Sequence, residues 1–120
     1  MTRGPSRVGL VERSNAPILV RRYFEGGPPG PLGAAAAHIP EVMIDFMPFI
    51  GAVYAGGAVD ERLREIVVLR LSAQEGCRYC TETHADKALR SGFTLLEVRC
   101  LVGVNEAPSS WSAREAAVLQ

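Results

Sequence analysis

Apolar positions from Val42 to Tyr54 follow a helical rhythm. Val42, Met43, Phe46, Phe49, Ile50, Val53 and Tyr54 fall close to a 3.6-residue period. Pro40-Glu41 opens this helix with proline in its first turn, and Gly56-Gly57 ends it. Pro48 lies inside the run and is expected to kink or split it. Asp60 is the natural N-cap of the next helix, over 61–73. Its run Ile66-Val67-Val68-Leu69 is apolar all round, which predicts burial on every side. By residue type the run also suits a strand. Helical signals flank it on both sides, and no second strand candidate exists to pair with it, so the pattern predicts helix. Gln74-Glu75-Gly76 turns the chain into a further helix that reaches about Arg90 and stops at Ser91-Gly92. Thr94-x-x-Glu97 is a capping box opening a helix to about Gly103. A loop over 105–110 leads to a second capping box, Ser112-x-x-Glu115. The helix it starts has about two turns before Gln120. That is too short to stand alone, so this end docks onto something or the natural chain continues.

The first third is less regular. Residues 1–14 are polar, with 7–11 extended. Asn15-Ala16-Pro17 reads as a helix start, and Ile18, Leu19 and Tyr23 give a short apolar face ending near Phe24. The Gly/Pro-rich stretch 26–31 predicts a loop or hinge, and 34–38 a short helix with His38 at its end. The stripe Met43, Phe46, Met47 and Phe49 reads as core rather than a cofactor box. Cys100 reads as a core residue in an apolar helix, and Trp111 as the anchor of the last segment. No internal repeat is visible. The expectation is a single all-α domain over 1–120.

Composition narrows the function class. Thirteen basic residues balance thirteen acidic ones, so no charge excess points to nucleic acid or to a basic partner. No apolar run follows residues 1–7 as a secretion signal would require, and none approaches the length of a membrane span. With three cysteines, the expected setting is a reducing cytoplasm. A close cysteine pair there is catalytic or metal-binding more often than structural.

Such a pair stands in Gly76-Cys77-Arg78-Tyr79-Cys80-Thr81-Glu82-Thr83-His84. At about 100° per residue, Cys77, Cys80 and His84 lie within about 60° of one another on a helix. The N-terminal end of a helix carries unpaired N–H groups and partial positive charge, which favour thiolate. Moving a thiol from about 8.5 to about 7 raises its thiolate fraction at neutral pH from about 3% to about half. Cysteines three apart in a helix also lie about 5 Å apart at Cα, within disulfide range. Three chemistries fit this stripe: a redox dithiol, a zinc site, or two small apolar residues with no special role. A zinc site needs a fourth ligand, which only Cys100, His38 or a carboxylate could supply. The thioredoxin reading of C-x-x-C needs a βαβ context that this chain lacks.

The series Leu63-Arg64-Glu65-Ile66-Val67, then Gly76-Cys77-x-x-Cys80-x-x-x-His84, then Gly92 resembles the alkylhydroperoxidase D-like branch of the carboxymuconolactone decarboxylase family. The resemblance covers 40–103 and leaves 1–39 as an N-terminal extension. It implies an all-helical bundle that assembles into homo-oligomers, with thiol peroxidase or disulfide-reductase activity. Carried over residue by residue, Cys80 would be the reactive thiol and Cys77 its disulfide partner. His84 and Glu65 would form the proton relay. The position before the second cysteine, often histidine in the characterised peroxidases, is Tyr79 here. The decarboxylase branch lacks the cysteine pair, so the pair argues against lactone decarboxylation. Helix geometry agrees with the relay: in a hairpin turning near Gly76, Glu65 lies about 16 Å and His84 about 12 Å below the turn.

The function expected on these grounds is a dithiol–disulfide cycle that reduces a small hydroperoxide or a partner's disulfide. An external dithiol or a disulfide-carrying protein would restore the thiols. No bound cofactor or metal is required, and neither nucleic acid nor a membrane is an expected partner. The rivals are a zinc-stabilised or structural helical module and a non-catalytic redox-sensing protein.

Overall fold

The computed structural model describes residues 6–27, 29–103 and 106–120. Expectations placed on residues 1–5, on Pro28 and on Asn105 lie outside the described residues. Every regular element among the described residues is helical, as the patterning predicts. The chain divides into two compact units, 1–55 and 56–120.

The first unit opens with two 3-10 helices, Arg13–Asn15 and Ile18–Phe24. Two α-helices follow, α1 (Gly30–Ala36) and α2 (Pro40–Tyr54). Its core is Ala16, Val20, Phe24, Ala37 and Met43, with Tyr23 and Met47 packed against them. The buried face of the second 3-10 helix is therefore Val20 and Phe24. Ile18, expected inside, is 85% exposed. Val20 and Phe24 turn inward because Ala16, Ala37 and Met43 pack there, and Ile18, two residues before Val20, points away from that side. Gly30 and Pro31, read as loop, form the first turn of α1, where a missing proline N–H removes no hydrogen bond. α2 runs unbroken through Pro48, whose exposed position confines the loss to one backbone donor. The expected core stripe also divides. Met43 is fully buried, whereas Phe49 points outward and is 62% exposed.

The second unit carries the cysteine motif. It comprises α3 (Glu61–Gln74), α4 (Arg78–Arg90), α5 (Leu95–Leu101) and α6 (Ala113–Ala116), with a 3-10 turn Ala117–Leu119 at the end. α3 and α4 form a packed hairpin. Ile66, Leu69, Ala88, Phe93, Val98, Cys100, Leu101 and Trp111 make the core beneath it. Asp60 caps α3 by accepting from the Leu63 N–H at 2.8 Å. Ile66 and Leu69 are buried, but Val67 is 40% exposed, so the run expected to be enclosed keeps an open side.

Each helix of the hairpin is ended by a glycine. Gly76 has φ +65° and closes α3, with Gly76 N–H donating to Ala73 O at 3.2 Å and Cys77 N–H to Ser72 O at 2.9 Å. This pair of bonds is the Schellman stop, which needs a left-handed residue at the turn. Gly92, φ +93°, repeats it after α4, with Phe93 N–H on Ala88 O at 3.0 Å. Gly76 therefore delivers Cys77 directly from the end of α3 to the start of α4.

Trp111 anchors the C-terminal segment as expected. It is buried, and its Nε1–H donates to Glu97 Oε1 at 2.9 Å. Both predicted capping boxes form. Their glutamates converge on one cation. Arg62 of α3 pairs with Glu97 and, at 2.6 Å, with Glu115, and lies over the Phe93 ring at 4.4 Å. One guanidinium thus ties α3 to the starts of α5 and α6. No helix among the described residues is long and apolar enough to cross a membrane.

Candidate dithiol and carboxylate–imidazole site

Cys77 is the N-cap of α4, and its Sγ accepts the Cys80 N–H at 3.3 Å. A sulfur thus takes the place usually held by a serine or aspartate oxygen, satisfying one of the orphan donors of the first turn. The two cysteines are joined by a disulfide, with Cα atoms 5.4 Å apart. Both are half-buried. Cys100 stands outside this pair as a free, buried thiol on α5, and burial pushes its pKa up. That is the behaviour of a packing cysteine rather than a nucleophile.

His84 lies one turn beyond Cys80 on α4, with its side chain only 16% exposed. Its Nδ1 is 2.8 Å from Glu65 Oε2. Glu65 sits on the inward face of α3 and is fully buried. By residue type alone it could equally be a solvated acid in an early helical turn. The structure places it inside and paired. Its other oxygen, Oε1, accepts from Lys87 Nζ. Burial alone would raise the Glu65 carboxyl, but the hydrogen bonds from His84 and Lys87 outweigh it and hold the group below its ordinary value. The ionised carboxylate accepts from the Nδ1–H of the imidazole, which fixes the ring's orientation on α4.

The structure therefore brings together Glu65 and His84, joins Cys77 to Cys80, and sets both pairs on one α3–α4 hairpin. It does not bring Cys100 into the site. His38, in the first unit, donates from Nε2 to the Gly9 carbonyl at 2.6 Å. Among the described residues no three His, Cys, Asp or Glu side chains are grouped to hold a metal ion. Tyr79 is exposed at the start of α4. Lys87 goes unmarked in the sequence reading. Its signal is the spacing: three residues after His84 it shares the same helix face.

Searches of curated proteins and of solved structures return no match to the chain. Residues 40–120 match the model of one protein family, a span that takes in the whole α3–α4 hairpin and its cysteine motif. On that match, over more than half its length, the chain belongs to the carboxymuconolactone decarboxylase family.

Proposed function

We propose that the protein is a thiol-dependent peroxidase or disulfide reductase of the alkylhydroperoxidase D-like kind. The observation that carries this reading is the joint placement of a Cys77–Cys80 disulfide at the start of α4 and a His84–Glu65 pair one turn further along it. Either feature alone has structural explanations. Together they supply a two-electron reductant and a proton carrier on one helix.

In the cycle, His84 Nε2 takes the Cys80 proton, and the thiolate attacks the terminal oxygen of a small hydroperoxide. The O–O bond breaks, Cys80 becomes a sulfenic acid, and His84 returns the proton to the leaving alkoxide, which departs as an alcohol. Cys77 then attacks the Cys80 sulfur. The S–S bond forms, the sulfenic hydroxyl leaves, and with the Cys77 proton it becomes water. The Cys80 N–H that Cys77 Sγ accepts in the disulfide suits a Cys77 thiolate as resolving nucleophile. An external dithiol or a disulfide-carrying protein reductant takes over the disulfide and restores both thiols. We assign the chemistry to a reducing cytoplasm, where such donors are held reduced. Exposed Val67 and Leu71, one turn apart on α3, suit a subunit contact, and the working form in this reading is a homo-oligomer.

Peroxide consumption with several dithiol donors tests the proposal, with the native protein set against Cys80→Ser. Turnover lost in the variant is the expected result. Reversible oxidation with no turnover under excess reductant would identify a redox sensor instead.

A further inference from the structure

Glu65 is held from α4 by two groups, not one. Its Oε2 accepts from His84 Nδ1 at 2.8 Å, and its Oε1 accepts from Lys87 Nζ. The carboxylate is fully buried, whereas the Lys87 side chain is 37% exposed and reaches it from the helix edge. We propose that Lys87 is a positioning residue of the relay: its ammonium occupies one oxygen of Glu65 so that the other fixes the Nδ1–H tautomer of His84. This rests on reading Glu65 and His84 as the proton relay.

The reasoning is electrostatic. A buried carboxylate whose sole cationic partner were an imidazole would draw a proton onto that imidazole, because the ion pair satisfies both groups. Imidazolium has no lone pair and cannot take a thiol proton. A fixed ammonium beside Glu65 already balances its charge. It also disfavours a second positive charge on the adjacent ring. Lys87 on Oε1 thus leaves Oε2 to hold the ring with Nδ1 donating, the orientation the relay needs.

Other charges near Glu65 are committed elsewhere or share its sign. Glu61 and Arg62 of α3 line a cavity of about 170 Å³ with Glu65, Ser91 and Phe93. Arg62 pairs with Glu97 of α5 and Glu115 of α6. The closing 3-10 turn presents alanine, valine and leucine only. From α4, His84 and Lys87 are the groups that face the carboxylate.

The test reads the imidazole directly. In the reduced protein, the ¹⁵N resonances of His84 report both its tautomer and the pH at which the Glu65–His84 pair takes up a proton. K87Q can keep a hydrogen bond to Oε1 but removes the charge. It should move that midpoint up by about one pH unit or more, the size of effect one adjacent opposite charge has on a carboxylate. K87R should return it to the parent position. K87M is a second uncharged variant should K87Q lose its helical circular dichroism. A midpoint and tautomer unmoved in the folded uncharged variant overturn the proposal. So does a midpoint that K87R fails to restore. Peroxide turnover is measured alongside, and its acid limb should follow the same shift. If the parent shows no turnover while the imidazole midpoint still moves with Lys87, the peroxidase reading fails and the positioning role stands.

Discussion

Replacing Glu97 by glutamine should destabilise the second unit by about 3 kcal/mol at neutral pH. The carboxylate accepts four hydrogen bonds. Thr94 N–H and Oγ1 reach Oε2 at 2.7 and 3.0 Å, Trp111 Nε1–H reaches Oε1 at 2.9 Å, and Arg62 pairs with the same Oε1. Burial opposes the charge, but these donors outweigh it and hold the carboxyl down at about 2 from an ordinary 4.5. At about 1.36 kcal/mol per pH unit, that difference is worth about 3 kcal/mol. Glutamine has one acceptor oxygen and an NH₂ group, so one side of the site must set donor against donor. The sign follows from the depressed value. The stabilisation is complete above pH 4.5 and is lost as pH falls through the folded-state value near 2. More than half of it should be gone by about pH 3. Trp111 is the single tryptophan and contacts Glu97 directly, so its fluorescence reports unfolding at the perturbed site. In urea the midpoint of Glu97→Gln should fall by about 1–3 M at pH 7. The gap from the native protein should narrow markedly at pH 3. A shift under about 0.5 M at pH 7, or a gap equally wide at pH 3, would refute the reasoning.

Peptide mapping after mild peroxide treatment should recover a Cys77–Cys80 disulfide that dithiols reverse. Cys100 in the main disulfide would sink the assignment. His84→Ala and Glu65→Gln should each slow turnover by roughly 10²–10⁴-fold while circular dichroism stays unchanged. Near-normal rates in both would remove them from the mechanism, and a rate gain in Tyr79→His would show that the missing imidazole limits this protein. Exchanging the three tyrosines for the twelve glycines in the 48% apolar share brings it to about 55%, against 45–50% for ordinary soluble domains. Light scattering at micromolar concentration should therefore give a multiple of the 12.9 kDa chain mass, and a single-chain mass would count against a homo-oligomer.

Local chemistry decides much of this protein, and local chemistry is legible in the sequence. Asp60, Thr94 and Ser112 start helices where their side-chain oxygens can cap, and Gly76 and Gly92 end them where φ must be positive. The spacing of Cys77, Cys80 and His84 on α4 follows from the helical repeat alone. What spacing cannot supply is which face turns inward, because that depends on what packs there. Ile18 and Phe49 have core chemistry yet face outward, while Glu65 has surface chemistry yet is buried. α2 passes through Pro48 because an exposed site can spare one donor, a matter of tertiary setting. The contacts around Glu65 are the clearest case. The α3–α4 hairpin alone determines that a carboxylate nineteen positions before His84 meets both that imidazole and Lys87. In the same way, only tertiary packing gathers two capping-box glutamates, far apart in sequence, onto Arg62. Caps and turns are satisfied within a few residues. Buried charges are satisfied by whichever element the fold sets opposite them.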